Sequence, residues 1–237
     1  GEPAWDRAPE RLADTGLWAD PVRRTLALGA LPFEPQYPLW TDGARKRRWI
    51  ALPAGSAVDA RDVDRWEFPA GTRLWKEFAF ADGVETRFMA RRADGTWLYA
   101  TYVRTADGDD VLAPERGVRG YCRTAPGARH DVPGVADCRA CHDGAPVPVL
   151  GFSALQLSSE RDPLAPHAAR PAEDALDLAQ LVARGLVRGL PEAHVHTPPR
   201  VAARTPVGLA AHCQLHGNSS KCERGEGRLG GLGWRSE

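Results

Sequence analysis

The sequence is short of several features that would each indicate a class of protein. Its five cysteines are odd in number and too few for a disulfide scaffold, and it contains no run of 18 apolar residues that could span a membrane. Basic and acidic side chains balance at 31 each, so net charge does not indicate nucleic acid or an anionic membrane as a partner. We therefore expect a globular protein with no transmembrane segment and no nucleic-acid partner.

Methionine and lysine are also scarce, which makes each of these residues worth placing. Met89 is the only methionine, and the only lysines are Lys46, Lys76 and Lys221. The opening residues, GEPAW, do not contain the apolar stretch of a signal peptide.

The segments between residues 46 and 104 indicate a β-sheet. Residues 46–104 contain four segments rich in β-branched and aromatic residues, KRRWIALP, RLWKEFAF, VETRFMARR and TWLYATYV, with ADG turn signals between the later ones. This pattern predicts three or four antiparallel strands. Residues 1–45 predict an irregular lead-in with a short helix or two, and residues 105–135 predict loops.

The second half of the chain predicts short helices. Two segments have a helical spacing of apolar residues and a closing glycine. They are AEDALDLAQLVARG at 172–185 and TPVGLAAHCQLHG at 205–217. The intervening residues 158–172 are polar and proline-rich. We therefore predict an α+β fold with a β-rich domain (1–157), a linker (158–172) and a helical C-terminal segment (173–237), in which short helices follow an antiparallel sheet.

The stretch ADCRACHDG, residues 136–144, carries the strongest chemical signal. Cys138, Cys141 and His142 form Cys-x-x-Cys-His, in which two thiols spaced by one helical turn can form thioethers with a haem and the adjacent imidazole can bind its iron. The sequence therefore predicts one covalent haem c, with His142 as the proximal iron ligand and the sixth ligand unknown. Candidates for that sixth ligand are His167, His212 and His216. Residues 1–157 are accordingly predicted as a β-rich haem-binding domain, with the haem-binding turn between the sheet and the C-terminal helices.

Two alternatives remain open for this motif. A structural zinc site needs four ligands, and Cys122 is the only further thiol near enough in sequence to contribute. A disulfide between Cys138 and Cys141 would leave His142 without a role. The pairing of Cys122, Cys213 and Cys222 in an oxidising compartment is also undetermined.

Seven phrases in this order resemble an uncharacterised family of secreted bacterial haem-binding proteins. They are TGLWADP, PLWTDGARKRRWIALP, WEFPAGTRLWKEF, VETRFMARRADGTWLYATY, DCRACHDG, VLGFSALQL and LVARGLVRGLP, and together they extend over nearly the whole chain. The resemblance implies a periplasmic or secreted location and haem c. It implies no particular reaction, so whether the protein is an enzyme is left open.

The same resemblance implies a second haem motif near the C-terminus, and this chain departs from it. In LHGNSSKCERGEG, Ser219 stands where the first cysteine is expected, Cys222 keeps the second, and Glu223 replaces the ligating histidine. We therefore expect no haem at this degenerate motif.

A fainter likeness covers about 80 residues. FPAGTRLWKEF, the strands after it and the late Cys-x-x-Cys-His are similar to β-sheet cytochromes of the cytochrome c′-beta kind. That likeness implies a haem lying against an antiparallel sheet, with its distal iron position open or lined by apolar groups.

Two side chains bear on the distal side of such a haem. Met89 shares a strand face with Glu85 and Arg87. This charged face predicts a solvent-facing position for Met89 and argues against it as the sixth ligand. Lys76 alternates with Leu74 and Phe78 and so points to an apolar face. It either reaches solvent from an edge strand or contacts the haem.

Three functions follow as hypotheses. The first is electron transfer by an exported mono-haem cytochrome-like protein with an unknown redox partner. The second is a haem protein with an open iron that binds or oxidises a small ligand such as nitric oxide or hydroxylamine. The third is a zinc-stabilised β module.

Overall fold

A six-stranded antiparallel sheet organises the structure. The computed structural model describes residues 5–124, 128–143, 145, 147–163, 165 and 171–197. The strand order is β3-β4-β6-β7-β8-β9, with β3 at Leu31–Pro32, β4 at Arg45–Ala51, β6 at Arg73–Ala79, β7 at Val84–Arg91, β8 at Trp97–Arg104 and β9 at Asp110–Leu112. The four segments predicted as strands are therefore confirmed as four adjacent strands of one sheet.

Short elements surround this sheet. They are a 3-10 helix at Leu12–Thr15, β1 (Trp18–Asp20), β2 (Thr25–Leu26), β5 (Val58–Asp59), β10 (Val118–Arg123), β11 (Arg129–Val132), α1 (Val135–His142), α2 (Leu178–Ala183), β12 (Val187–Arg188) and α3 (Glu192–His196). The β10–β11 hairpin lies where only loops were expected. The β-rich part of the predicted fold class is thus confirmed, with three short helices among the described residues.

Each face of the sheet is covered by a hydrophobic core over part of its area. On one face, Trp75, Phe88 and Tyr102 pack under the N-terminal segment, which contributes Trp5, Leu12, Leu17 and Trp18. On the other face, Ile50, Leu74 and Tyr99 pack against residues that come later in the chain, including Phe152, Leu157 and Leu178. Where these two cores cover the sheet, neither face is a solvent face that the period-2 pattern could reveal.

The described part of the C-terminal segment packs into the second of these cores. Helix α2 is shorter than predicted and begins at a capping box, in which the Gln180 amide donates to the Asp177 carboxylate at 2.8 Å. Leu176 and Leu181 are buried in the same core as Leu74, and β12 pairs in parallel with β5. The division at 158–172 stays a prediction, and the helix predicted at 205–217 lies outside the described residues.

None of the helices described between residues 5 and 197 is long and apolar enough to cross a membrane.

Candidate functional site

The Cys-x-x-Cys-His motif lies in helix α1, which follows directly on β11. The Gly134 amide donates to the Asp137 carboxylate at 2.9 Å, and the Val135 amide donates to the Glu115 carbonyl at 2.8 Å. A Cβ at Gly134 would lie 2.6 Å from that same carbonyl oxygen, so the close approach requires glycine. The start of the helix is therefore fixed against the loop that precedes β10.

Helical spacing brings the three motif side chains to one side of α1. Residues three and four apart share a helix face, so Cys141 and His142 both lie beside Cys138. Cys138 is 9% exposed and belongs to the core with Leu74 and Tyr99, whereas Cys141 is exposed. Burial raises the pKa of the Cys138 thiol. The motif thus runs from the core outward to the surface.

The imidazole of His142 is oriented by a backbone carbonyl. Its Nδ1 lies 2.6 Å from the Pro148 carbonyl oxygen. Because a carbonyl oxygen can only accept, Nδ1 carries the hydrogen, and the neutral ring then has its lone pair on Nε2. The His142 ring also lies 5.4 Å from the Tyr99 ring, and the Tyr99 hydroxyl donates to the Asp143 carboxylate at 2.8 Å. The end of α1 is thereby tied to strand β8.

The sheet face beneath α1 carries two contrasting rows of side chains. We call the first the apolar row, whose cross-strand neighbours are Ile50, Leu74, Met89 and Tyr99. We call the second the cation row, in which Arg48 on β4 is opposite Lys76 on β6, and Lys76 is opposite Arg87 on β7. Directly opposed like charges are unfavourable across strands, so the cation row costs stability.

Nearby groups compensate the cation row only in part. Arg48 pairs with Glu34 at 2.6 Å, and Arg87 pairs with Glu85 at 2.7 Å. The Lys76 side chain makes no hydrogen bond and no ion pair with any residue that the structure describes. Burial, then Arg48 and Arg87, lower its pKa well below the usual value, although part of the side chain remains exposed to solvent.

Another buried charge cluster adjoins the cation row. His130 places Nε2 at 3.0 Å from Glu85 and Nδ1 at 2.9 Å from Asp42, and its ring packs on Phe80 with centroids 4.4 Å apart. Burial favours the neutral ring, but the hydrogen bonds to the two carboxylates outweigh it and raise the pKa of His130. Sequence patterns did not single out His130, because Glu85 and Asp42 are distant in the chain.

Lys76 and Met89 lie on the same face of the sheet. Lys76 does share a face with Leu74, as expected, but the edge-strand explanation is wrong because β6 lies between β4 and β7. The solvent-facing position predicted for Met89 is also wrong. Met89 is partly buried against the core that contains Cys138, because this face of the sheet is covered.

Other candidate residues are separate from α1 or fall outside the description. His196 is exposed and pairs with Glu192 on α3. Cys122 is buried as a free thiol whose pKa burial raises to about 11. The remaining candidates lie outside the described residues; they are His167, His212, His216, Cys213, Cys222 and the degenerate motif at Ser219.

A cavity of about 520 Å³ lies beside the start of α1. Its lining includes Glu10, Arg92 and Arg139 but none of the three motif side chains. Tyr99 also lines it, so the cavity adjoins the motif through strand β8 without including a motif side chain. Among the described residues, no group of three or more His, Cys, Asp or Glu side chains is placed to hold a metal ion.

No family model, curated protein or solved structure matches this chain.

Proposed function

We propose that this chain is an exported mono-haem c-type protein whose function is electron transfer. Cys138 and Cys141 would hold the haem by thioethers, and His142 would bind the iron through Nε2. The one observation that carries the proposal is the hydrogen bond from His142 Nδ1 to the Pro148 carbonyl. Metal-binding histidines commonly donate their second nitrogen in this way, which fixes the tautomer and the ring orientation.

The surroundings of α1 also suit a large apolar group. Cys138 lies in the core beside the apolar row, and Cys141 lies at the surface, so a group attached to both would be buried at one end and exposed at the other. Bound haem supplies one-electron chemistry, and an exposed edge allows electrons to pass to a partner. The Tyr99–Asp143 hydrogen bond holds the end of α1, and therefore His142, against the sheet.

Attachment is tested by measuring haem on the full chain produced with a periplasmic maturation system. A pyridine haemochrome assay should give one haem per chain. Cys138→Ala and Cys141→Ala should each weaken the retention of haem through acid–acetone extraction, and His142→Ala should leave haem attached but weakly ligated. Cys122→Ala is the matched control, since Cys122 is a buried thiol outside the motif, and it should retain haem fully. Two haems per chain, or normal retention in both motif variants, would contradict the proposal.

The second candidate function is binding or oxidation of a small ligand at an open iron. The position of Met89 bears on this choice, because its thioether packs against the core that contains Cys138 and is therefore a candidate sixth ligand. With Met89 as ligand, the visible spectrum is low-spin and Met89→Ala turns it high-spin. A wild-type spectrum that is already high-spin and shifts with carbon monoxide supports the open-iron function instead. A zinc-stabilised module would contain zinc and show no Soret band.

A further inference from the structure

The cation row is the most unusual electrostatic feature of the described chain. Three cationic residues follow one another on adjacent strands, Arg48 opposite Lys76 and Lys76 opposite Arg87. Each such opposition is unfavourable by about 0.2–1 kcal/mol in a sheet, and burial reduces the screening that would weaken it. A sheet core does not need these charges, which suggests that they serve a ligand.

A single aromatic ring gathers the accessible cations. Phe78, which is buried, lies 4.3 Å from the Arg87 guanidinium carbon, 4.8 Å from Lys76 Nζ and 6.0 Å from Lys46 Nζ. A ring face attracts cations, so Phe78 holds three cationic groups toward one space before any ligand arrives. Arg87 and the two lysines all keep part of their surface exposed, so this space can be reached from solvent.

The carboxylates around this space are already engaged. Glu34 is bound by Arg48, and Glu85 is shared between Arg87 and His130. Among the described residues, the Lys46 amine donates only to the Leu39 carbonyl, which carries no charge, while burial and then Arg48 lower its pKa to about 8. The charged groups around Lys76 are thus Lys46, Arg48, Arg87 and His130 against Glu34, Glu85 and Asp42. When Lys46 and Lys76 are both protonated, positive charge exceeds negative charge by one before His130 is counted, and an anion that binds here would favour that protonated state.

We propose that Lys46, Lys76 and Arg87, gathered around Phe78, form an anion-binding site for a carboxylate or another small oxyanion. An ammonium group offers three donors to oxygen, and the Lys76 amine makes no hydrogen bond with any described residue. The anion has two available sources. It is either a carboxylate of the haem attached at α1, since the cation row adjoins the apolar row, or a free oxyanion. The site itself does not depend on the proposed function.

The scarcity of lysine makes the test direct. The chain has only three lysines, so 15N-lysine NMR gives three side-chain signals, which Lys46→Met and Lys76→Met variants assign. The pKa of Lys76 is measured with increasing inorganic phosphate in the full chain, prepared with and without haem. We expect phosphate to raise this pKa saturably, because an anion favours the charged amine. Lys76→Met should weaken phosphate binding by about tenfold or more, the loss of one charge-assisted hydrogen bond.

Arg45→Gln is the matched control. Arg45 is an exposed cation on β4, and the alternation of that strand places it on the face opposite to Lys46 and Arg48. Its replacement removes one positive charge from the neighbouring strand of the same sheet and should change phosphate binding by less than about twofold. Equal effects of Lys76→Met and Arg45→Gln would overturn the site, since a diffuse surface charge would then explain the binding.

The two preparations distinguish the sources of the anion. A phosphate effect in both preparations identifies a free-oxyanion site, and an effect only without haem identifies the haem carboxylates as the occupant. A third case arises if the chain folds only with haem and phosphate has no effect on it. The proposal then requires Lys76→Met to shift the haem reduction potential more than Arg45→Gln does, and equal shifts overturn it. If the chain takes up no haem, the phosphate titration still decides the anion site. A Lys76 pKa that does not respond in either folded preparation also overturns it.

Discussion

His130 should make the stability of this protein depend on pH in a direction that the structure predicts. Its imidazolium is held by Glu85, which is fully buried, and by Asp42, whose side chain is 42% exposed. Hydrogen bonds to charged groups contribute about 1.5–3 kcal/mol each, and the exposed position of Asp42 puts its bond at the low end or below. We therefore expect His130→Phe to lower the free energy of unfolding by about 2–4 kcal/mol at pH 6, while a phenyl ring can keep the packing on Phe80.

The pH profile separates this charge effect from a packing effect. The pKa of His130 is raised in the folded state, so the folded protein binds the proton more tightly than the unfolded chain. The stabilisation is complete below the unfolded pKa of about 6.5 and is lost as the pH rises through the folded value, at up to about 1.4 kcal/mol per pH unit. Urea unfolding from pH 5.5 to 9 should show the difference between wild type and His130→Phe shrinking as the pH rises.

The chain provides a control for this experiment in α3. His196 also faces a carboxylate, Glu192, but the histidine side chain is 71% exposed. His196→Gln should change stability by less than about 0.5 kcal/mol at every pH. The reasoning is refuted if the His130 ring titrates below the ordinary histidine pKa by NMR, or if the stability difference for His130→Phe grows as the pH rises.

Two further predictions concern the anchoring of α1. Gly134→Ala should lower the free energy of unfolding by about 1–3 kcal/mol and reduce haem attachment, because the new Cβ meets the Glu115 carbonyl. Urea unfolding and haemochrome yield measure the two effects. Gly29→Ala is the control and should show neither, because the space around its Cβ is open. Tyr99→Phe should lower the free energy of unfolding by about 1 kcal/mol in urea, because it removes the hydrogen bond to Asp143 and leaves that exposed carboxylate to water. A loss above about 3 kcal/mol would show that Tyr99 does more than hold α1.

The sequence predicts the strands well and their environment poorly. Aromatic and β-branched residues alternate in RLWKEFAF and TWLYATYV strongly enough to define two strands before the structure is known. The same alternation misplaces Met89, because period 2 separates the two faces of a strand without saying what covers each of them. The covering segments come from both ends of the described chain, so no local pattern announces them.

Part of the candidate site could be predicted from the sequence and part could not. The spacing within Cys-x-x-Cys-His is local, and the helix that brings these side chains to one face could be expected from it. The cation row could not, because Arg48, Lys76 and Arg87 meet only once the register between three strands is set. The contact of His130 with Glu85 joins residues 45 apart, and single-sequence patterns carry no signal at that separation.

Glu85 connects the charge of the proposed anion site to the protonation of His130. One of its carboxylate oxygens is bound by Arg87 and the other by His130, so the two cations share one negative charge. When His130 loses its proton, that negative charge is left to Arg87 alone, and the net positive charge around Lys76 falls. An anion held there should therefore bind more weakly above the pKa of His130 than below it.

Phosphate titrations of wild type and His130→Phe at pH 6 and pH 9 test this coupling, since the affinity should fall more between the two pH values in wild type than in the variant. Equal losses in the two proteins would show that the sites are independent despite sharing Glu85.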